Sequence, residues 1–348
     1  MTARTDTPTI LELFAGAGGL ALGLERAGLK ARGLIEFDSD CVRTLQKNRP
    51  DWPVFHADVK DVDYTPFQGV DILSGGFPCQ AFSSAGKRLG FQDERGNLFF
   101  EMMRAIRCLQ PKIVLAENVQ GLLNHNKGQT LETILDALRG VGYTVYYELF
   151  NAVDFGVPQK RKRLIIIAVR GQSAPRPLMQ PLRPIRTLAD ALKGCPESEG
   201  MAYSANKERI MRMIPQGGCW TALPDDIQRE YMGASYGHGS AMGGRRGMAR
   251  RMAWSEPSLT ILCSPSQKQT ERCHPEETRP FTVRESARIQ TFPDDWIFTG
   301  SVSSQYRQIG NAVPVDFGEA IGKHVLQIFQ EGKFDATPRR NSHRKRTA

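Results

Sequence analysis

Thr9–Ile10–Leu11–Glu12–Leu13–Phe14 is an apolar strand that runs directly into Ala15–Gly16–Ala17–Gly18–Gly19, after which Leu20, Leu22, Leu24 and Ala27 mark a helix ending at Gly28. Strand, glycine-rich turn and helix in immediate succession form the first unit of a doubly wound α/β fold, because the turn aims backbone N–H groups at a ligand. Glu36 ends a second strand, Gly33–Leu34–Ile35, about twenty residues on, where an acid can take the hydroxyls of a ribose. Asp58 follows a third short strand, Pro53–Val54–Phe55–His56, and can accept from an adenine amino group. Gly16, Gly18 and Ala21 satisfy the G-x-G-x-x-A dinucleotide pattern, so an NAD(P) oxidoreductase is one reading of this end. Glycines that serve only a tight turn are another.

The next apolar run, Val70–Asp71–Ile72–Leu73, reads as a buried strand and breaks at Gly75–Gly76–Phe77–Pro78–Cys79–Gln80. Two glycines and a proline drive the chain out of the sheet and present one thiol at its carboxyl edge, where open α/β sheets bind ligands. Ala81 to Gly96 is a polar loop punctuated by Gly86, Gly90 and Gly96, long enough for a lid. Asn97 to Gln110 has the spacing of an amphipathic helix, with Leu98, Met102, Ile106 and Leu109 on one face and Pro111 closing it. Lys112–Ile113–Val114–Leu115–Ala116 is then a strand that delivers Glu117–Asn118–Val119 to the same edge as Cys79. A helix near Thr130 to Leu138, a strand Tyr143 to Leu149 and a turn Gly156–Val157–Pro158–Gln159 lead to Lys160–Arg161–Lys162–Arg163 and the buried strand Leu164 to Val169. Strand alternation puts Arg161 and Arg163 on one side of that entry, facing the pocket.

At 348 residues the chain is comfortable for two domains. Pro175, Pro177, Pro181 and Pro184 mark a linker, beyond which apolar periodicity is weak as far as about Gln308. Gly243 to Arg251 and Ser264 to Arg272 are rich in the residue types that grip phosphates and read base edges. A final helix, about Val315 to Phe329, carries Phe317, Ile321, Val325 and Ile328 on one face and is expected to pack back onto the first domain. The formal charge is +9, of which Arg339, Arg340, Arg344, Lys345 and Arg346 in the tail supply a large part, so a localised cationic surface facing a polyanion is expected. The seven cysteines are scattered, odd in number and form no CxxC pair, which favours neither a disulfide framework nor a zinc site. No apolar stretch reaches the roughly 20 residues of a membrane span, and Met1 to Thr9 lacks the core of a signal peptide. A cytosolic setting with reduced thiols is the expectation.

Read together, Phe14 to Gly19, Gly76 to Gln80, Glu117 to Val119, Gln159 to Arg163, Arg284 to Asp294 and Gln308 to Val313 resemble the DNA (cytosine-5)-methyltransferase family in its unpermuted motif order. The likeness spans nearly the whole chain except the tail and the variable middle, and is to the prokaryotic restriction-modification type. It implies a doubly wound, Rossmann-like S-adenosylmethionine-dependent methyltransferase domain with a smaller, irregular target-recognition domain. On that pattern residues 1–183 are the catalytic and cofactor domain, 184–308 the target-recognition domain, 309–331 a helix returning to the catalytic domain, and 332–348 a basic, disordered tail. S-adenosylmethionine is the implied cofactor. Phe14, Ala15, Gly16, Gly18 and Gly19 would line its methionine end, Glu36 its ribose, and Asp58 with Val59 its adenine, while Phe37, Pro78, Leu98 and Asn311 complete the site. Many members carry Asp where this chain has Glu12 and Ser where it has Ala312.

The implied chemistry is addition of the Cys79 thiolate to carbon 6 of a cytosine, which makes carbon 5 able to accept a methyl group. Glu117 would hold a proton at N3, Arg163 would grip the base carbonyl, and Arg161 would hold Glu117 or a phosphate. A duplex hides carbon 6, so the base must be flipped out, with the loop bearing Gln80, Ser83, Ser84, Lys87 and Arg88 closing over the DNA. Arg245, Arg246, Gln267, Lys268 and Gln269 are candidate base or phosphate contacts. The expected partner is duplex DNA, with no metal and no membrane, a monomeric enzyme in the prokaryotic cytosol or nucleoid, and a restriction endonuclease as functional companion. A tRNA cytosine-5 methyltransferase on the same scaffold and a non-catalytic DNA-binding regulator are the alternatives. The Pro-Pro-aromatic motif of enzymes acting on exocyclic nitrogen is absent.

Overall fold

The computed structural model describes residues 7–77, 98–171, 179, 184–232, 248–266, 271–332 and 334. Cys79, Pro78, Gln80 and the rest of the expected lid lie outside the described residues, as do Arg245, Arg246, Gln267, Lys268, Gln269 and the basic tail.

Alternation of short apolar runs with amphipathic stretches produces the expected α/β sheet. Its elements in order are β1 (Thr9–Leu13), α1 (Gly19–Arg26), β2 (Lys30–Glu36), α2 (Ser39–Asn48), β3 (Val54–His56), β4 (Ile72–Gly75), α3 (Leu98–Leu109), β5 (Ile113–Val119), α4 (Gln129–Gly140), β6 (Tyr143–Asn151), β7 (Gln159–Lys160) and β8 (Lys162–Arg170). Seven strands pair in the order β3-β2-β1-β4-β5-β8-β6. The first five are mutually parallel, whereas β8 runs antiparallel to both β5 and β6. Residues 152–161 link β6 to β8 with only a 3-10 turn, Ala152–Phe155, and the two-residue β7. A parallel pair needs a crossover of a dozen or more residues, so this connection turns the chain back on itself. In consequence the basic run enters β8 at the carboxyl edge of β5, with Arg163 opposite Val119 and Ile165 opposite Glu117.

Helices cover both faces of the sheet. On one, Leu11, Leu13, Leu73, Val114 and Ile166 pack with Phe99, Met102 and Ile106 of α3 and Leu131 and Ile134 of α4. On the other, Ile10, Ile72, Ile113, Ile165 and Ile167 meet Leu20 and Leu24 of α1 and a long carboxyl-terminal helix. Beyond β8 the elements are short until the last: α5 (Leu188–Leu192), α6 (Ala205–Arg212), α7 (Asp225–Met232), β9 (Arg250–Arg251), β10 (Ser258–Leu259), β11 (Arg272–Cys273), α8 (Val283–Ile289), α9 (Val302–Asn311) and the long α10 (Val315–Glu331). Weak apolar periodicity before α10 translates into two-residue strands and one-turn to three-turn helices.

Tyr203, Ile210, Met211, Trp220, Tyr231 and Cys273 form a small core of their own. Leu188, Phe281, Ile289, Phe292, Trp296 and Ile309 instead share a core with Leu22, Leu34, Leu45 and Trp52 of the α1–α2 side. Residues within 184–308 thus contribute to two hydrophobic clusters. α10 lies against α1, with Phe317, Ile321, Val325 and Ile328 buried. Gly23 permits the approach: a Cβ there would stand 2.5 Å from Glu319 N and Gly318 C of the facing helix.

Candidate active site

The carboxyl ends of β1, β4 and β5 lie side by side, since Leu13 pairs with Gly75 and Gly75 with Ala116. A cavity of about 550 Å³ opens there, lined by the glycine-rich turn, by Gly76 and Phe77, by Glu117–Asn118–Val119, by Arg161 and Arg163, and by Leu262, Cys263 and residues 310–313. That size suits a small-molecule site.

The turn after β1 is held in an unusual backbone path. Phe14, Gly16 and Gly18 all have positive φ, at 58°, 55° and 85°. Gly16 N donates to Glu36 Oε2 at 2.6 Å, and Asp38 N donates to Glu36 Oε1 at 2.7 Å, so one carboxylate clamps the turn onto the end of β2. Burial raises the Glu36 pKa above its ordinary value against the opposing pull of those amides. Gly16 has open space where a side chain would be, whereas a Cβ on Gly18 would strike Leu45 at 2.6 Å and one on Gly19 the Val313 carbonyl at 2.2 Å. The three glycines therefore divide the work: Gly16 leaves room in the cavity, and Gly18 and Gly19 let other elements close in. Phe14, Ala15, Gly16, Gly19, Glu36 and Asn311 line the cavity.

Gly18, Phe37, Asp58, Val59 and Leu98 are not among its described lining. Gly18 faces Leu45 and Trp296. Phe37 stands 70% exposed, with its carbonyl 3.0 Å from His56 Nε2. Asp58 Oδ1 accepts from Lys60 N at 3.0 Å, and Val59 is buried in the core beneath Tyr64, whose hydroxyl donates to the Val59 carbonyl. Leu98 packs against the same core.

The other end of the cavity carries the charge pair. Arg163 Nε lies 2.7 Å from Glu117 Oε1, with the two side chains only 12% and 13% exposed. Strand geometry explains the pairing: Arg163 sits opposite Val119, and Glu117 is its diagonal neighbour on the same face. A Cβ on Gly76 would come within 3.3 Å of Glu117 Oε2, and Asn118 Nδ2 donates to the Phe77 carbonyl at 2.9 Å. The end of β5 is in this way tied to the turn that leads to Cys79.

Arg161 behaves differently from its expected role. It is 1% exposed, and its guanidinium donates to the carbonyls of Ile261, Gly310 and Ala312 at 3.0, 2.8 and 3.0 Å rather than to Glu117. Gln159 bonds Gln290 and the Ile261 amide, while Gln290 Nε2 donates to the Ile309 and Ala312 carbonyls. Three of the sequence blocks thus meet in one buried polar network that closes the cavity wall. A Cβ at Gly310 would stand 2.5 Å from Cys263 N, which is why that wall needs a glycine. Cys263, whose thiol donates to Asn311 Oδ1 at 2.9 Å, Asp38 and Arg307 are lining residues that sequence reasoning missed. Arg307 Nη2 lies 3.1 Å from Asp38 Oδ2. Burial opposes ionisation of Asp38, yet the amides of Cys41 and Asp40 and the Arg307 guanidinium hold its pKa below the usual range. The Gln308–Val313 block carried a signal for Arg307, which precedes it, but nothing local in the sequence marks Cys263.

The family model for C-5 cytosine-specific DNA methylases matches residues 8–327. The chain is 56% identical over 335 residues to the type II methyltransferase M.Eco47II of Escherichia coli, covering 93% of this chain and 80% of that one. It is 51% identical to M.PspPI of Psychrobacter and 49% identical to M.Sau96I of Staphylococcus aureus, covering 94% and 92% of this chain and 81% and 76% of theirs. In fold it is similar to the Entamoeba histolytica methyltransferase EhMeth, with a TM-score of 0.64 at 14% identity and coverage of 93% and 99%. The Schizosaccharomyces pombe Dnmt2 methyltransferase gives a TM-score of 0.60 at 17% identity, with coverage of 93% and 98%.

Proposed function

The chain belongs to the C-5 cytosine-specific DNA methylases, and on that premise we propose that it methylates carbon 5 of a cytosine flipped out of duplex DNA, by way of a covalent bond from Cys79 to carbon 6. It is an enzyme of the type II restriction-modification kind. The observation that carries the mechanism is the Glu117–Arg163 pair standing beside Gly76 and Phe77, two residues before Cys79, in the same cavity as the glycine-rich turn.

The cavity fits S-adenosylmethionine as donor. It has open space at Gly16, a ribose-seeking carboxylate in Glu36, uncapped helical N–H groups at the start of α1, and a buried acid, Glu12, whose Oε2 has no partner among the described residues. When bound, that cofactor supplies an activated methyl group on a sulfonium. Cys79 adds through sulfur to carbon 6, and Glu117 holds a proton at N3 so that charge building on the ring is relieved. Arg163 keeps Glu117 in place and offers its remaining N–H groups to the base carbonyl. After methyl transfer, loss of the carbon 5 proton to a solvent base returns the electron pair to the ring and expels the Cys79 sulfur. Gln80, Ser83, Ser84, Lys87 and Arg88 belong to the segment assigned to hold the flipped duplex, and residues within 184–308 to the one that reads it. Protection of DNA from a companion endonuclease is the corresponding biological role.

Duplex DNA carrying 5-fluorocytosine at the target tests this chemistry, because fluorine cannot leave as a proton does. With the donor present, the expected result is a stable protein–DNA adduct, mapped by peptide mass spectrometry to Cys79, and no adduct with Cys79→Ser or with tRNA in place of duplex. An adduct on another residue, or none from folded, donor-loaded enzyme, overturns the proposal.

A further inference from the structure

Glu271 is a fully buried carboxylate that does not line the cavity. It stands immediately before β11, beside the small core that holds Tyr231 and Cys273. Its Oε1 accepts from the Tyr231 hydroxyl at 2.7 Å and lies 3.1 Å from Lys207 Nζ of α6, and its Oε2 accepts from the Ala249 amide at 3.4 Å. The same Lys207 ammonium donates to the Ser266 carbonyl. Burying a carboxylate and an ammonium is costly, and apolar side chains of like volume hold a core as well. What the charged pair adds is direction, because its hydrogen bonds fix particular points of the chain.

Those points bracket two stretches of sequence. Tyr231 comes just before residues 233–247 and Ala249 just after them, while Ser266 directly precedes residues 267–270 and Glu271 directly follows them. The two stretches carry Arg245, Arg246, Gln267, Lys268 and Gln269, the candidate contacts to DNA. β9 and β11 pair in parallel, Arg250 with Arg272 and Arg251 with Cys273, so the chain enters both strands from the same end. At that end Ala249 is buried and left-handed, at φ 42°, a path that a non-glycine residue keeps only where its surroundings hold it.

We propose that Glu271, paired with Lys207, is a positioning residue for target recognition: it ties the flanks of both stretches to one another, so that the choice of base sequence depends on it. This rests on the reading that residues within 184–308 recognise duplex DNA. Glu271 itself touches neither donor nor base, and acts through the segments it joins.

The full chain, S-adenosylmethionine and a duplex library of random sequence, read by bisulfite sequencing, yield the wild-type target and its discrimination, the ratio of methylation at the target to that at sites one base pair away. Glu271→Gln should lower this ratio about tenfold, roughly the worth of one base-pair contact. Its affinity for S-adenosylmethionine should stay at the wild-type value, because Lys207, Tyr231 and Glu271 are not among the residues lining the cavity. The single variant strands the Lys207 charge, so its melting temperature should fall as well. Glu271→Gln combined with Lys207→Met removes that charge, and should regain melting temperature while still discriminating poorly. Ile210→Val, in the same small core but outside these hydrogen bonds, should lower melting temperature and keep the wild-type ratio. A wild-type ratio in both Glu271 variants overturns the inference, and so does an equal fall in Ile210→Val. If folded, donor-loaded wild type methylates no duplex at all, the DNA-reading premise is overturned, and the inference with it.

Discussion

Two arginines separated by one residue have opposite fates. Arg163 meets Glu117 at the cavity, and Arg161 is sealed into a cage of backbone carbonyls. Their substitutions should separate cleanly. Arg163→Lys removes the planar fork that holds Glu117 and, on the proposed function, grips the base carbonyl, so single-turnover methylation should fall about 10²- to 10³-fold with little change in the urea midpoint. Arg161→Lys leaves the Gly310, Ala312 and Ile261 carbonyls short of donors in a buried wall, and urea unfolding should show a loss of about 2–4 kcal/mol. The reverse pattern would mean that the basic run had been assigned the wrong way round.

At the scale of elements, the close approach of α1 and α10 organises the glycine-turn end of the cavity. Val315, Gly318 and Glu319 present backbone to Gly23, and Gly318 in turn lies against Gly19 and Leu20. The turn before α1 and the wall at residues 310–313 are held together through this contact. Thr291, in a left-handed conformation at φ 59°, adds a second tie, since its Oγ1 accepts from Asp316 N in the first turn of α10. Gly23→Ala should therefore cost about 1–3 kcal/mol in thermal or urea unfolding, because the facing atoms are backbone and cannot rotate away. An unchanged stability would show that the two helices slide apart freely. The boundaries of both helices were legible in advance: apolar residues at three- and four-residue spacing set their faces, and Gly28 with φ 96° sets the stop of the first.

The whole molecule pairs a regular sheet with an irregular remainder, and its net charge is +9. If duplex DNA is held chiefly through phosphates, the logarithm of its affinity should fall against that of salt by about 0.9 per phosphate neutralised. Fluorescence anisotropy across salt concentrations reads the slope, and a flat response would deny the protein an electrostatic cleft. The amino-acid sequence by itself determined the strands of the large sheet, the helices near 20–27, 97–110, 130–138 and 315–329, the glycine turn at the first strand and the sheet edge to which Glu117 is delivered. Those features follow from periodicity and turn chemistry acting over a few residues. Sequence did not mark α2 or the short elements between 185 and 308. Tertiary structure alone decided which arginine meets Glu117 and which residues from beyond 260 complete the cavity. Alternation along residues 159–163 holds, with Arg161 and Arg163 lining the cavity and Lys160 and Lys162 exposed. But alternation does not say which arginine meets Glu117: β7 pairs with β10 in a separate two-stranded ribbon, while β8 pairs with β5 and β6. Arg161 falls at the joint between the two ladders, where the Ile261, Gly310 and Ala312 carbonyls take its guanidinium instead. Contacts such as Cys263 with Asn311 join residues far apart in the chain, and only packing can bring them together.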